Sequence, residues 1–430
     1  MARQMKDSGV EWIGHIPEDW SIRMLFQIFS EVKNKNEGLI ENNLLSLSYG
    51  KIKRKNIDSP FGLLPESFEG YNIIEKDDIV LRLTDLQNDQ KSLRTGLARE
   101  KGIVTSAYTT LRLRTAAASP TFLHHCLHVF DVCKGFYGMG AGVRQGLNWS
   151  GIRKLAIPWC EEEEQRVISE YLDTKCAEID KVVEQTRATI EEYKKLKQAI
   201  ITEAVTKGVR GPRPMKPSGV EWIGDIPEEW HRSRVGLHYH VVLGKMLCNT
   251  QQADDYTLEP YYCAADIHFG SVDAAKKEMW FSPEEKDTYR VMPGDLLVVE
   301  GGAGAGGCAI VKASVTATYI QNSIMIVRGK STCSVAYLGY WIESLVKRAY
   351  IDVVCNKATI PHFTKDKLSS VPIPLPSAEE QQEIATYLDT KCAEIDLIIE
   401  KKEQLIEELG SYKKSLIYEY VTGKKQVLYK

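Results

Sequence analysis

At 430 residues, with 43% hydrophobic and 26% charged composition, the chain has room for two or three domains with proper cores, and the disordered and collagen-like classes are excluded. No run of about 18 apolar residues exists and the opening MARQMKDSGV lacks an apolar signal core, so a cytoplasmic protein with no membrane partner is expected. A net charge of −3 excludes a uniformly basic nucleic-acid binder. The distribution is more informative. Residues 1–160 carry 21 Lys+Arg against 17 Asp+Glu (net +4), residues 211–376 carry 17 against 18, and segments 161–210 (9 against 12) and 377–430 (8 against 11) are each −3. Basic surface sets affinity for phosphate, which makes the first segment the better candidate for DNA contact. The ten cysteines form no CxxC pair and are expected to be reduced, packed as small hydrophobes.

In chain order, SGVEWIGHIPEDW at 8–20 returns as SGVEWIGDIPEEW at 218–230, and YLDTKCAEID at 171–180 returns letter for letter at 387–396. The chain is two tandem halves. The frame is copied while the interiors diverge, as for two modules that each perform a version of one task, and recognition is the task most naturally varied this way. After Trp20, short apolar runs at 44–48, 78–83 and 109–114 read as strands separated by turn residues. Residues 120–130 read as a helix with Pro in its first turn and apolar residues at 122, 123, 126, 127 and 130. His124, His125 and His128 lie on it without an acidic or cysteine partner at ligand spacing, so they read as structural and no metal site is expected.

From Glu161 the pattern changes to heptads, with a seam at Ile179, Val183, Ile190, Tyr193 and Ile200 and an equivalent seam at Ile395, Ile399, Ile406, Leu409 and Leu416. About 45 residues per helix exceeds what a local core needs, so the two are expected to pair. Ser377 with Glu380 forms a capping-box pattern at the second. Residues 208–217, rich in Pro, Gly and basic residues, read as a linker. The second interior predicts strands at 260–269, 294–300 and 319–327 and a helix near 336–349, and both interiors close on Ile-Pro, Ile157-Pro158 and Ile373-Pro374. Because the first helix delivers the chain to the second module, paired helices must run antiparallel and give a pseudo-twofold arrangement.

The expected fold is therefore α+β, with two mixed α/β recognition domains (1–160 and 218–376) in pseudo-twofold arrangement. Two long antiparallel coiled-coil helices (161–207 and 377–424) separate them, and the linker 208–217 joins them. The glycine run 301–307 contains GxGxxG spacing, but β-branched residues follow it and no GK[ST] is present, so it reads as a loop whose bare backbone approaches something closely rather than a nucleotide cradle. No catalytic motif is found, and no catalytic residue is assigned.

The opening GVEWIGxIPxxW, the joint IP-x5-EQ-x5-YLD-x5-ID (157–180, again 373–396) and, within the interiors, IVLRLTDLQND (79–89), TSAY (105–108), GVRQGLNW (142–149), GDLLVVEGGAGAGG (294–307) and KATIPHF (357–363) resemble the specificity subunit of type I restriction-modification enzymes over nearly the whole chain. The resemblance implies a non-catalytic reader of double-stranded DNA whose two target-recognition domains each read half of a bipartite site. It further implies that the helices set the gap and bind two modification (methyltransferase) subunits, with a restriction subunit joining them. S-adenosylmethionine, ATP and Mg are expected in those partner subunits and no cofactor in this chain. From the residues themselves, the candidates for DNA contact are Lys51, Lys53, Arg54, Lys55, Arg82, Arg94, Arg144 and Gln145 in the first module, and Lys245, Asn322, Lys357, Thr359 and His362 in the second. Arg, Gln or Asn would read bases and Lys would hold phosphate. The alternative reading is a structural adaptor whose modules bind proteins.

Overall fold

The computed structural model describes residues 3–56, 65, 67–86, 93–139, 146–312, 317–355 and 361–427. It divides into two compact units, residues 1–186 with 403–430, and residues 187–402. Each unit thus contains one module and half of each long helix.

In the first unit a hairpin, Met5–Asp7 with His15–Pro17, leads into strand Ser21–Met24, which pairs with Ala156–Trp159 just before the first long helix. The module core is a four-stranded antiparallel sheet in the order Phe29–Val32, Thr109–Leu113, Ile79–Leu81, Thr95–Leu97. Helix Pro120–Val132 follows it; Ser119 caps this helix through Phe122 N–H, and its buried face carries Phe122, Leu123, Cys126 and Leu127. Two smaller sheets complete the module, Leu45–Ser48 with Lys51–Arg54 and Asn72–Ile74 with Gly102–Val104.

The second unit repeats this plan. Hairpin Met215–Pro217 with Asp225–Pro227 and strand pair His231–Arg234 with Pro372–Leu375 frame a four-stranded antiparallel sheet in the order Tyr239–Leu243, Ile324–Gly329, Leu296–Val299, Cys308–Ile310. Helix Val335–Lys347 is capped by Ser334. In place of the small sheets of the first module stands a three-stranded sheet, Lys277–Phe281, Thr257–Tyr262 and Tyr319–Ile320, with helix Pro283–Tyr289 beside it.

The copied phrases encode the frame. In the first unit the buried Trp20 donates its indole N–H to Glu164 Oε2 (2.8 Å), while Arg3 pairs with both Glu164 and Asp19 at 2.5 Å. In the second unit Trp230 donates to Glu380 (2.9 Å), and Arg213 pairs with Glu380 (2.5 Å) and Glu229 (2.7 Å). The following glutamine closes the same frame: Gln165 Oε1 accepts from Ser119 N–H (3.0 Å), and Gln381 Oε1 from Ser334 N–H (2.9 Å). Each EQ pair therefore fastens a long helix to the entry of its module.

The long helices are Glu162–Lys207 and Ala378–Val421. Within the first unit Tyr171 meets Tyr420 (ring centroids 4.6 Å apart) and Asp180 pairs with Lys413 (2.5 Å), so the partner number falls as the residue number rises and the segments are antiparallel. Within the second, Lys197 pairs with Asp396 (2.7 Å) and Arg210 with Glu383 (2.7 Å), which gives the same direction. Ile179, Ile190, Ile395 and Leu416 of the seams are buried; Val183, Tyr193, Ile200, Ile399, Ile406 and Leu409 are half-buried. Ile179 and Leu416 belong to one apolar core, with Val183 and Leu409 packed against it.

Three expectations are corrected. The linker 208–217 is partly module, because Met215–Pro217 is a strand and Arg213 an anchor. The run 319–327 is two strands, Tyr319–Ile320 and Ile324–Gly329, since Gln321 accepts a turn hydrogen bond from Ile324 N–H (2.9 Å). Ser377 does cap Glu380 N–H (3.3 Å), but the Glu380 carboxylate is committed to Trp230 and Arg213 instead of closing a box.

Candidate nucleic-acid interface

In each module two distant loops meet at the end of one sheet strand. In the second unit Leu296–Val299 runs into Glu300, whose carbonyl accepts from Phe363 N–H (2.6 Å) and whose N–H donates to Ser323 O (2.8 Å). Gly301 bridges His362, and Asn322 N–H donates to Lys245 O (2.8 Å). The glycine run, Asn322 and His362 thus share one edge. In the first unit Leu83 O accepts from Leu147 N–H (2.8 Å), which brings residues 79–86 and 146–149 together at the corresponding strand end, and Arg82 N–H donates to Arg94 O (2.8 Å). Irregular backbone gathered beside a rigid sheet is the setting in which binding residues concentrate.

The candidates fare differently. Lys51, Lys53, Arg54 and Lys55 lie on or just after the outer strand of a hairpin with Tyr49 and Gly50 at its tip, and all four are exposed. Arg54 Nε makes a bidentate contact with Glu100 at 2.8 and 2.9 Å, and Lys51 lies 3.6 Å from Asp180. Arg82 and Asn322 are half-buried. His362 is exposed, with Nδ1 3.3 Å from Glu300. Arg144, Gln145, Lys357 and Thr359 lie outside the described residues.

Two candidates are corrected. Arg94 is wholly buried and donates to Thr84 O (2.7 Å) and Asp85 O (3.2 Å), while its backbone N–H is held by Asp131; it pins the strand end from inside. Burial pushes the Asp131 carboxyl up to about 6. Lys245 is buried too, paired with Glu285 and placed over the rings of Tyr256 (5.0 Å) and Phe281 (5.4 Å). A cation enclosed in this way has no reach to phosphate.

The glycine run is the turn between Leu296–Val299 and Cys308–Ile310: Gly306 N–H donates to Val299 O (2.9 Å) and Val299 N–H to Gly307 O (2.8 Å). A Cβ on Gly306, whose φ is +82°, would lie 2.2 Å from Ile351 Cδ1. The close approach expected of these glycines is therefore to the protein's own helix.

Sequence reading missed the roles of Arg3 and Arg213, which are not in the copied phrases although they stand at the same offset as Trp20 and Trp230. That shared spacing was the available signal.

Two modules of one plan, with dissimilar loops at matching edges and a long helix leaving each, make a duplicated two-module architecture. A family model for the type I restriction modification DNA specificity domain matches residues 253–408. The chain is 24% identical over 96% of its length to the putative type I restriction enzyme MjaX specificity subunit of Methanocaldococcus jannaschii, covering 96% of that protein, and 21% identical to the MjaVIII specificity subunit of the same organism, covering 96% of this chain and 94% of the other. Among solved structures, a chain from a study of complex assembly and conformational transition of the type I R-M system superposes with a TM-score of 0.72 at 17% identity, covering 95% of this chain and 99% of that one. The HsdS subunit of Thermoanaerobacter tengcongensis gives 0.51 at 16%, covering 95% and 98%. Over nearly its whole length the chain is thus similar to type I restriction enzyme specificity subunits, and its second half matches their DNA specificity domain.

Proposed function

We propose that each module reads one half of a bipartite, asymmetric double-stranded DNA site and that the long helices set the gap between the halves and dock two methyltransferase subunits. The observation that carries this reading is the repetition of one sheet and one frame around unrelated edge loops, which is how one docking mode would serve two different base sequences. Chemistry then belongs to the partners: S-adenosylmethionine with the methyltransferase subunits, ATP and Mg with a restriction subunit, in a cytoplasmic complex. No helix among the described residues is long and apolar enough to cross a membrane.

The exposed Lys53 and Lys55 would hold phosphate, and the loop edges beside Leu83 and Glu300 would meet bases. The test is selection from a random DNA pool by the chain assembled with methyltransferase subunits. Recovery of a two-part motif with a fixed gap, and affinity falling with salt, is expected; retention independent of sequence and salt would favour the protein-binding adaptor.

A further inference from the structure

The first unit contains a cleft of about 530 Å3 between the hairpin tip, helix Pro120–Val132 and the two long helices. That volume suits a small molecule. Its floor is apolar, from Leu93, Leu97, Val129, Val132 and Ile417, and its rim is cationic, from Lys51, Arg99, Lys413 and Lys414. Asp173 is the lining carboxylate, and it is already held between His125 (3.1 Å) and Arg99 (3.5 Å). Asp180 likewise lies between Lys413 (2.5 Å) and Lys51 (3.6 Å). Two carboxylates therefore face four cations.

His124 and His128, one helical turn apart with ring centroids 6.0 Å from each other, also line the cleft. His124 Nε2 and His128 Nδ1 are buried with no hydrogen-bond partner. These two nitrogens are closed off from solvent, so the histidines contribute other parts of their side chains to the cleft wall. The surrounding lysines and arginine select against a metal cation as a ligand and for an anion.

The second unit supplies an internal contrast. Between helix Val335–Lys347, the sheet and the second long helix it has a cleft of about 110 Å3, lined among others by Lys312, Gly339, Tyr340, Glu343 and Asp389. Counted from the caps Ser119 and Ser334, Gly339, Tyr340 and Glu343 stand where the first unit has His124, His125 and His128. There a carboxylate stands in place of an imidazole, with Lys312 also lining the cleft.

We propose that the cleft of the first unit binds a small free anion with a planar apolar body, of the size and chemistry of a nucleoside monophosphate. Its phosphate meets the rim lysines and Arg99, and its planar body lies on the apolar floor beside His124 and His128. The site is separate from the loop edges assigned to DNA and does not rest on that assignment.

The test is calorimetric titration of the full chain with AMP, inorganic phosphate and adenosine, repeated on Lys414→Glu and Gly410→Leu. Gly410 lines the cleft from the second long helix and a Cβ there meets nothing within 4 Å, so leucine fills the space without a clash and raises helix propensity. One AMP per chain is expected, with adenosine bound at least about tenfold more weakly and both variants losing about tenfold or more while their melting temperatures hold. The proposal is overturned by equal affinity for AMP and adenosine, by AMP binding unchanged in both variants, or by no AMP heat at millimolar ligand. It is also overturned if Zn2+ binds in a His124-dependent manner while AMP does not, or if a short DNA duplex displaces AMP, which would assign the phosphate to DNA.

Discussion

The two units share a skeleton and differ in everything attached to it. Both sheets have the same strand order and the same internal ion pair: Asp78, buried at the strand start, accepts from Arg112 (2.6 Å), and Asp295 from Arg328 (2.7 Å). The same carboxylates also cap the preceding turn, through Glu75 N–H and Met292 N–H, each at 2.8 Å. Yet one module carries two small two-stranded sheets and the other a three-stranded sheet, and their clefts differ in size and charge. A sheet interior accepts Ile, Val or Leu at almost any position, so the skeleton persists while identity vanishes. The Trp–Glu–Arg anchors allow no such exchange, because a buried carboxylate needs its particular donors.

If the skeletons are equivalent and the attachments independent, exchanging residues 21–157 for the same segment of a relative should change one half of the recognised site completely and leave the other intact. Genome-wide methylation mapping reads both halves at once, and a change in both would break the comparison. Next in size is the gap. Duplicating four residues near Ile190 in the first long helix adds about 6 Å of helix, which corresponds to one or two base pairs at about 3.4 Å each. The half-sites should stay unchanged and move apart; methylation at the original spacing with full efficiency would remove the helices as the determinant.

The anchors offer a finer contrast, since they repeat in contacts but not in burial. The Glu380 side chain is 2% exposed and Glu164 25%. Removing Glu380 takes the buried partner from Arg213, which keeps only the exposed Glu229, and the acceptor from the Trp230 indole N–H, so Glu380→Ala should cost about 3–5 kcal/mol, whereas Glu164→Ala, closer to solvent, should cost about 1–2. Urea unfolding followed by the signals of Trp230 and Trp20 would separate the two, and equal losses would show that burial is not what distinguishes them.

These contrasts also mark what local sequence could reveal. The long helices and helix Pro120–Val132 were legible because a 3.6-residue period is a local property, and the frame was legible because it is written twice. Arg94 and Lys245 were misread as surface cations because their enclosure depends on Tyr137, 43 residues on, and Glu285, 40 residues on. His125 gains its carboxylate partner Asp173, 48 residues beyond it, only in the fold. Burial of a polar residue is a tertiary fact, and no window of sequence contains it.

The smallest expected effect is a difference of sign. Burial, followed by the nearby charges of His125, Lys413 and Lys414, lowers the His128 pKa from its ordinary 6.5 to about 4, with Asp180 opposing. The unfolded chain then binds a proton that the folded first unit refuses, so His128 contributes stability above about pH 6.5 that is lost as pH falls toward about 4, with a slope approaching about 1.4 kcal/mol per pH unit. At the matching position Glu343 is pushed up, by burial first and also by Asp396, against Lys197 and Lys347. Here the folded second unit holds the proton more tightly, and stability is lost as pH rises through the folded-state value. Asp131, raised by burial to about 6, acts in the Glu343 direction within the first unit, so the test must compare variants rather than whole curves. His128→Asn should flatten the acid-side loss, and Glu343→Gln should flatten the loss on rising pH. Melting temperatures between pH 4 and 8 measure both; if the two variants shift the profile in the same direction, the opposite charges of the two clefts do not govern how each unit responds to protons.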